Sequence, residues 1–330
     1  MLAGGSIFFG VVAMLRLFTV DHGVIKGLKP EPEQTAQYVH RANWIDARDP
    51  DDDERNLLER LVHDDLPESD DIDEIEASAR FFVDRAGVHV HSLFLSQKDG
   101  RHTTSTVACI LQKNRLITIR EGELADFRLM RMRARQGQVE SRNPADLLIT
   151  LLDQKVENLA DSLEDVHLAL ERTGHFVLED EDADLEDAID NLAKLEDTNG
   201  KIRLCLMDTQ RAILFLQRHL REDPELQESC REIIRDIDTL MSHTTFTFDK
   251  INFLMDSTQG FINIEQNRII KTFSVAAIFF LPPTVIASIY GMNFLHMPEI
   301  NWLFGYPMAL GLMVASIAGS YLYFKFKGWL

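Results

Sequence analysis

The segment Gly291-Met292-Asn293, near the carboxyl end of the 330-residue chain, carries residue types suited to handling a hydrated cation. The amide oxygen of Asn293 is neutral and accepts hydrogen bonds, so it can hold coordinated waters without removing them from an ion. Small divalent cations give up their waters reluctantly. A ring of carboxylates in the same place risks binding a divalent ion too tightly for release. Glu299 carries the one formal charge between 291 and 305.

Two apolar stretches flank this segment and predict its position at a membrane surface. A bilayer core about 30 Å thick needs about twenty apolar residues at 1.5 Å rise per residue. Residues 269–290 and 306–324 meet that requirement and predict two transmembrane helices joined by an outer loop at 291–305. A soluble acidic body followed by two such spans is typical of a membrane pore. Two spans per subunit cannot enclose an ion path alone, so an oligomer is expected.

Basic residues indicate how the spans are oriented. Arg268 and Lys271 flank the start of the first span, and Lys325 and Lys327 follow the second in the basic tail 325–330. The loop between the spans has neither Lys nor Arg. The positive-inside rule therefore predicts both termini in the cytoplasm and Gly291-Met292-Asn293 outside.

Several further sequence blocks accompany the tripeptide and the two spans. They are Asp73-Glu-Ile-Glu-Ala-Ser-Ala-Arg-Phe-Phe82, Phe127-Arg-Leu-Met-Arg-Met-Arg133, Arg203-Leu-Cys-Leu-Met-Asp-Thr-Gln210, Phe261-Ile-Asn-Ile-Glu-Gln-Asn-Arg-Ile-Ile270, Met297-Pro-Glu-Ile300 and Lys325-Phe-Lys-Gly-Trp-Leu330. Together these blocks resemble the CorA magnesium/cobalt transporters, over roughly residues 40 to 330. A tripeptide alone would be a weak match, but in this setting it is specific.

The resemblance implies a homopentameric funnel in the bacterial inner membrane, whose partners are other copies of the chain, membrane lipids and divalent cations. It implies Mg²⁺ influx, with Co²⁺ and Ni²⁺ also carried, and a first span that lines the channel. It assigns Asn293 the channel entrance, and Glu299 the loop acid that concentrates cations. It also implies that Mg²⁺ bound between subunits holds the channel closed. Asp256 resembles an acidic position of some members, and Glu232 and Asp236 are further candidates for binding this regulatory ion. The equal alternative is that these are solvated charges on the long helix that precedes the spans.

Helical periodicity back from Asn293 places one face of the first span on the symmetry axis. That face is Ser288 or Ile289, Thr284 or Val285, Leu281, Ala277, Phe273 or Ser274, Ile270 and Asn267. Rings of Leu281 and Ile270 would form a constriction that gates by dewetting, although bundle core is the alternative for such residues. Pro282-Pro283 frees backbone carbonyls one turn earlier and predicts a bend near the gate.

Composition limits the remaining functions. The formal net charge of −19, from 53 acidic and 34 basic residues, argues against nucleic-acid binding, which needs a basic face. It suits a protein that meets cations, although a solvated acidic surface is the commoner reason. Cys109, Cys205 and Cys230 are widely spaced and predict buried reduced thiols. No nucleotide-binding loop or nucleophile motif is evident, which predicts a non-enzyme without an organic cofactor, driven by the membrane potential.

Upstream of the spans, the pattern predicts an α+β fold: an N-terminal cytoplasmic domain with a small sheet packed with helices, then a very long stalk helix. We expect an apolar extension at 1–16, the cytoplasmic domain at 17–222, the stalk at 223–268 and the pore domain at 269–330. Residues 1–13 are read as a mis-assigned start or a loose extension. Asp223-Pro224 is a strong helix start, and an unbroken helix from there to Tyr290 would be about 100 Å long. Apolar positions recur along it near a 3.5 spacing, at Leu226, Cys230, Ile233, Ile237, Leu240 or Met241, Phe248, Ile251, Leu254 or Met255, and Ile262.

Three features of the cytoplasmic part each leave two readings. Strands are expected between 80 and 120, with a hairpin joining 107–111 to 116–119, and His89 and His91 alternate there on a polar strand face or bind a metal. The aspartates of 49–54 begin a helix or hold a divalent ion. The arginines at 128, 131, 133 and 135 pair with the chain's own carboxylates or form a ligand site.

Two other functions stay open at this stage. One is a Zn²⁺-transporting or efflux relative of the same superfamily, and the other is a non-conducting membrane metal sensor or scaffold. Metal preference, direction of transport and the regulatory Mg²⁺ ligands are not fixed by the sequence.

Overall fold

The computed structural model describes residues 15–21, 23–28, 35–62, 80–98, 100–180, 183–221, 223–292, 297–298 and 302–328. The chain divides into two compact units, one reaching Leu254 and the other starting at Met255. The proposed N-terminal extension before residue 15, and most of the block that begins at Asp73, lie outside the described residues.

The first unit is built on a mixed sheet with seven described strands. These are β1 (Leu15–Asp21), β2 (Val24–Leu28), β3 (Trp44–Arg48), β4 (Phe81–Val83), β5 (Val88–Lys98), β6 (Arg101–Leu111) and β7 (Leu116–Arg120), in the order β2-β1-β3-β7-β6-β5-β4. β3 and β7 run parallel, and the other neighbours run antiparallel. The predicted hairpin is confirmed, with Leu111 opposite Leu116. β-Branched residues at alternating positions favour these strands because they pack well on a pleated surface.

The described helices are α1 (Thr35–Arg41), α2 (Asp52–Val62), α3 (Ala125–Arg135), α4 (Pro144–Glu179), α5 (Leu185–His219), α6 (Pro224–Tyr290) and α7 (Gly305–Phe326). A capping residue in the local sequence marks the start of the longest helix, α6. Asp223 Oδ1 accepts hydrogen bonds from the backbone N–H groups of Glu225 and Leu226, at 3.1 and 3.2 Å, so the predicted cap of α6 is present. The helix then runs unbroken for 67 residues, as expected.

Apolar cores lie on both faces of the sheet. Helices α3, α4, α5 and the beginning of α6 cover one face, around Trp44, Phe94 and Phe127. Helices α1 and α2 cover the other, through Val39, Leu58 and Val62 against strand residues. The expected α+β domain, with helices packed on a sheet, is therefore present.

The buried stripe of α6 differs from the predicted one at its middle. Leu226, Cys230, Ile233 and Ile237 are buried in the first unit, as their spacing predicted. Further along, Phe248 is 43% exposed, and Thr244 and Thr247 are buried instead. A small side chain lets α5 approach there, where Asn199 Nδ2 donates to the Thr244 carbonyl at 3.0 Å. The boundary between the two compact units, at Leu254 and Met255, falls within α6. The predicted limits of the stalk, at 223 and 268, stay predictions.

Candidate functional site

The tripeptide follows directly on the end of α6. The Gly291 N–H donates to the Ala287 carbonyl at 2.9 Å, and the Met292 N–H to the Ile289 carbonyl at 3.3 Å. A Cβ on Gly291 would lie 3.1 Å from that Ala287 oxygen. Glycine is therefore favoured by close backbone approach, and not by a left-handed conformation: the structure records no positive φ for it. Asn293 and Glu299 lie outside the described residues.

The face predicted to line a channel is exposed along its whole described length in the single chain. Its members are Asn267, Ile270, Phe273, Ser274, Ala277, Leu281, Thr284 and Ser288. Leu281 is 59% exposed and Ile270 61%, which is unusual for large apolar side chains. The half-buried residues Val275, Phe279, Ile286 and Tyr290 occupy the opposite side of the helix. Exposure does not single out this face, because Lys271 and Phe280 on other sides of the helix are exposed as well. The pore-lining role of the face therefore stays a prediction.

The two prolines do not end the helix. Pro282 and Pro283 lie inside α6, and helical structure continues to Tyr290. The Thr284 hydroxyl donates to the Phe280 carbonyl at 2.6 Å, one turn earlier. The predicted bend at this point stays a prediction.

Two described helices are long and apolar enough to cross a membrane, by length and composition. One is the carboxyl part of α6 and the other is α7. Phe324, near the end of α7, is buried and lines a cavity of about 420 Å³ with Asn267, Ile270 and Ser274 among others. Lys325 lies in the last turn of α7, with its ammonium 5.8 Å from the centre of the Tyr321 ring, and Lys327 follows directly.

Glu232 and Asp236 border an acidic cleft of about 530 Å³ between α4 and α6 in the first unit. Asp146, Asp153 and Glu157 line the same cleft. Arg133 pairs with Glu157 at 2.9 Å, and Arg142 lies 3.6 Å from Asp146. Within the described part of the chain, Asp153, Glu232 and Asp236 have no ion pair. Burial raises the pKa of Asp153, and the charges of Glu157, Asp236 and Glu232 raise it further.

The third regulatory candidate, Asp256, is an exposed residue of the second unit. The structure therefore brings Glu232 and Asp236 together and leaves Asp256 in the other unit. In the described residues, no three Asp, Glu, His or Cys side chains are close enough to ligate one metal ion directly. An ion that keeps its waters is held by hydrogen bonds to those waters, so its carboxylates can lie farther apart than direct ligands do.

Sequence reasoning did not find a buried ionic network at the sheet. Asp46 of β3 is fully buried and accepts from Arg120 and Arg131. Glu123, at its edge, contacts Arg131, Arg16 at 3.3 Å and Arg48 at 3.2 Å. Burial alone would raise the pKa of Glu123, but the hydrogen bond and charge of Arg131, with the charges of Arg120 and Arg16, outweigh burial and hold the pKa at about 2. The signal was present: Asp46 is a charged residue inside the apolar strand that starts at Trp44.

The arginines of α3 divide between the two readings. Arg131 and Arg133 pair with the chain's own carboxylates, which is the first of the two readings. Arg128 and Arg135 are exposed and make no ion pair with the described residues.

A second buried polar group links β5 to α4 and α5. Asp208 Oδ2 accepts from the Ser92 hydroxyl at 2.6 Å and from the Leu93 N–H at 2.8 Å. The buried Lys155 ammonium donates to the same hydroxyl at 2.8 Å and lies 4.5 Å from the centre of the Phe94 ring. Nearby, burial raises the pKa of Asp126 to about 6, against the opposing effect of the Lys155 charge.

The histidine pair of β5 is not a solvated polar face, and that reading was wrong. His89 and His91 are 4% and 1% exposed. They face the α1–α2 side, because their cross-strand partners Ile110 and Ala108 belong to that core. His89 Nε2 lies 2.9 Å from Asp84 Oδ1, whereas neither ring nitrogen of His91 bonds to a described residue.

Two smaller predictions are confirmed. The acidic run at 49–54 starts α2, where Asp51 Oδ1 accepts from the Glu54 N–H at 2.8 Å and Glu54 Oε2 accepts from the Asp51 N–H at 3.4 Å. The three cysteines are buried and free, and burial raises the pKa of Cys109 to about 12.

Comparison with known proteins places this arrangement in a family. The model of the CorA-like Mg²⁺ transporter protein family matches residues 40–325. The chain belongs to the CorA-like Mg²⁺ transporter family. The magnesium transport protein CorA of Escherichia coli K12 is 46% identical over 319 residues, which cover 96% of this chain and 100% of the relative. The CorA protein of Salmonella typhimurium LT2 gives the same identity and coverage.

A solved structure supports the CorA fold independently of close sequence similarity. The complete CorA magnesium transporter of Methanocaldococcus jannaschii matches with a TM-score of 0.72 at 20% identity, covering 97% of this chain and 100% of that one. The sheet with its helices, the long helix and the C-terminal apolar helix are therefore a CorA architecture.

Proposed function

We propose that this protein transports Mg²⁺ into the cell through a channel built from five copies of the chain. The observation that carries the proposal is the full-length match, at 46% identity, to a relative named as a magnesium transport protein. Family membership supports a role for the Gly291-Met292-Asn293 segment, between the two candidate spans, as the mouth of the ion path. Co²⁺ and Ni²⁺ are further ions of the proposed cargo.

The exposed face of α6 supports a path lined by copies of one helix. Polar groups such as Asn267 and Thr284 are costly in hydrocarbon unless they face a bundle interior or water. Leu281 and Ile270 lie between them on the same face, and rings of these side chains would form the dewetting constriction. Elsewhere on α6, Phe246 and Phe253 are 60% and 61% exposed, and large exposed apolar side chains favour contact with further copies.

The charge pattern supports cytoplasmic termini in an inner membrane. Lys325 and Lys327 end α7, and Arg268 and Lys271 precede the apolar part of α6. With this orientation, a cation entering at Asn293 moves toward the negative side. The membrane potential supplies about 2.3 kcal/mol per charge per 100 mV, so the proposal needs no enzymatic step and no organic cofactor.

Cytoplasmic Mg²⁺ would act back on the channel at the acidic cleft. Asp153, Glu232 and Asp236 bring unpaired carboxylates to one cavity of about 530 Å³. Since Mg²⁺ usually keeps several waters, a cavity of that size suits a hydrated ion held through those waters. Asp256, exposed on the same helix, is a separate candidate for binding between copies.

The deciding experiment is Mg²⁺ uptake into proteoliposomes that hold the full chain, measured with a fluorescent probe. Asn293→Ala is expected to lose most of the flux while the oligomer stays intact by size-exclusion chromatography. Asn252→Ala, an exposed asparagine of α6 outside the apolar part, is the matched control and keeps the flux.

Three results would contradict parts of the proposal. Equal flux in Asn293→Ala and the unmodified protein removes the entrance role. Absence of flux in the unmodified protein leaves a non-conducting sensor or scaffold. A zinc transporter is indicated if Zn²⁺ strongly suppresses Mg²⁺ uptake while Mg²⁺ hardly suppresses Zn²⁺ uptake.

A further inference from the structure

One cavity of the first unit has a charge opposite to that of the protein. It measures about 410 Å³ and is lined by Arg16, Arg128, Arg131, Met132, Arg135 and Gln136, which we call the arginine pocket. Four arginines and no acidic residue line it, in a chain whose formal net charge is −19. Its volume is in the range of small-molecule sites, about 300 to 1,000 Å³.

The charges behind the arginine pocket do not neutralise it. Glu123 contacts Arg16, Arg48 and Arg131, and Asp46 contacts Arg120 and Arg131. Asp49 lies 3.7 Å from Arg48. The three carboxylates of Asp46, Asp49 and Glu123 therefore pair with four arginines. Arg128 and Arg135 add two more positive charges, and neither pairs with any described carboxylate.

The same contacts hold part of the pocket in place. Arg131 is fixed between Asp46 and Glu123, and its side chain is 10% exposed. Arg128 also borders a second cavity, of about 350 Å³, that contains Glu123 and Asp165, without an ion pair to either. Arg131 is therefore ordered before an anion binds, whereas the exposed Arg128 and Arg135 can turn toward the anion at a cost in side-chain freedom.

We propose that the arginine pocket binds a phosphate-bearing anion in solution. A guanidinium presents a planar pair of N–H donors that matches two oxygens of one phosphate group. A polyphosphate carries several such groups and charges, in keeping with the surplus of positive charge. This proposal concerns a site apart from the proposed ion path and stands independently of transport.

Inorganic pyrophosphate is the probe that tests this proposal. Binding to the full-length detergent-solubilised protein is measured by isothermal titration calorimetry in Mg²⁺-free buffer, so that the probe does not chelate the ion. We expect binding by the unmodified protein and a loss of at least about tenfold in affinity in Arg128→Gln/Arg135→Gln. Binding should also weaken as salt is raised, because exposed charges are screened.

Arg133→Gln is the matched control. Arg133 lies on the same helix and pairs with Glu157 outside the arginine pocket. The affinity of Arg133→Gln for pyrophosphate should therefore stay within about twofold of that of the unmodified protein. Both arginines of the double variant are exposed, and circular dichroism should show an unchanged fold. Absence of pyrophosphate binding by the unmodified protein, equal affinity in the double variant, or equally tight binding of citrate would each overturn the proposal.

Discussion

Arg120 binds Asp46 through two nitrogens, with Nε 3.0 Å from Oδ1 and Nη2 3.0 Å from Oδ2. Both side chains are fully buried. They lie on the parallel neighbours β3 and β7, and the guanidinium sits 4.5 Å from the centre of the Phe127 ring. The pair therefore ties two strands and α3 together at one point. Good geometry of this kind is what a buried ion pair needs to offset the cost of desolvation.

Asp46→Ala should destabilise the protein strongly, by about 3 to 5 kcal/mol, because Arg120 and Arg131 lose their buried carboxylate partner and keep only Glu123 at the edge of the network. Thermal unfolding of the detergent-solubilised protein measures the effect. Lys26→Ala, which removes an exposed ion pair with Asp21, should change stability by about 0.5 kcal/mol or less. A similar unfolding temperature for Asp46→Ala and Lys26→Ala would show that the pair contributes nothing.

Asp126→Asn should stabilise the protein at neutral pH. Asp126 is 1% exposed, and its folded pKa of about 6 lies above the ordinary 3.8. A raised carboxyl pKa favours folding below pH 3.8, and that contribution is lost as pH rises through 6. At pH 7 the ionised carboxylate therefore costs about 1 to 3 kcal/mol, which the neutral amide avoids.

The pH dependence separates this effect from simple repacking. The gain in unfolding temperature from Asp126→Asn should be largest above pH 7 and shrink toward pH 4. Asp190→Asn, an exposed position at the start of α5, should show no such trend. A gain that is independent of pH, or a loss at pH 7, would contradict the assignment.

His91→Met should remove part of the acid sensitivity of the protein. Burial, together with the charges of His89 and Arg80, lowers the pKa of His91 from 6.5 to about 4. A depressed histidine pKa gives stability that is present above pH 6.5 and is lost as pH falls toward 4. Over the same range Asp126 acts in the opposite direction, so the comparison must be between variants.

An apolar side chain of similar size should be tolerated because neither nitrogen of His91 bonds to a described residue. We expect the unfolding temperature of His91→Met to equal or exceed that of the unmodified protein at pH 7.5 and to fall less between pH 6.5 and 4.5. His175→Met, on the exposed surface of α4, is the control. If both proteins lose stability in parallel over that range, His91 is not the acid-sensitive group.

The parts of the fold that the sequence predicted are those with local signals. Asp223 followed by Pro224 starts α6, and the four residues between 111 and 116 turn β6 into β7. The apolar spans and their flanking lysines are equally local. Phe248 was misplaced because tertiary packing overrode periodicity: α5 comes close enough for Thr244 and excludes a larger side chain.

For the candidate site, the sequence offers a prediction only where spacing along one helix is sufficient. The pore-lining face that holds Leu281 rests on the helical period alone and stays a prediction. The networks around Asp46 and Asp208 could not be found in that way, because their partners Arg120 and Ser92 are 74 and 116 positions distant in sequence. Such pairs depend on which strands and helices become neighbours, and a single sequence does not show that.

Asp153→Asn should make the protein more stable without Mg²⁺ and less responsive to it. Its carboxylate faces those of Glu232 and Asp236 across the acidic cleft, and their repulsion adds to the burial that raises its pKa. A raised pKa means that the ionised form opposes folding above pH 3.8, so removing the charge should raise the unfolding temperature at pH 7.

If a hydrated Mg²⁺ binds in the acidic cleft, the unmodified protein gains stability as the ion is added, and Asp153→Asn should gain less. Asp161→Asn, an exposed residue of the same helix that does not line the cleft, should respond as the unmodified protein does. Equal Mg²⁺-dependent shifts in all three proteins would exclude the cleft as a binding site for the ion.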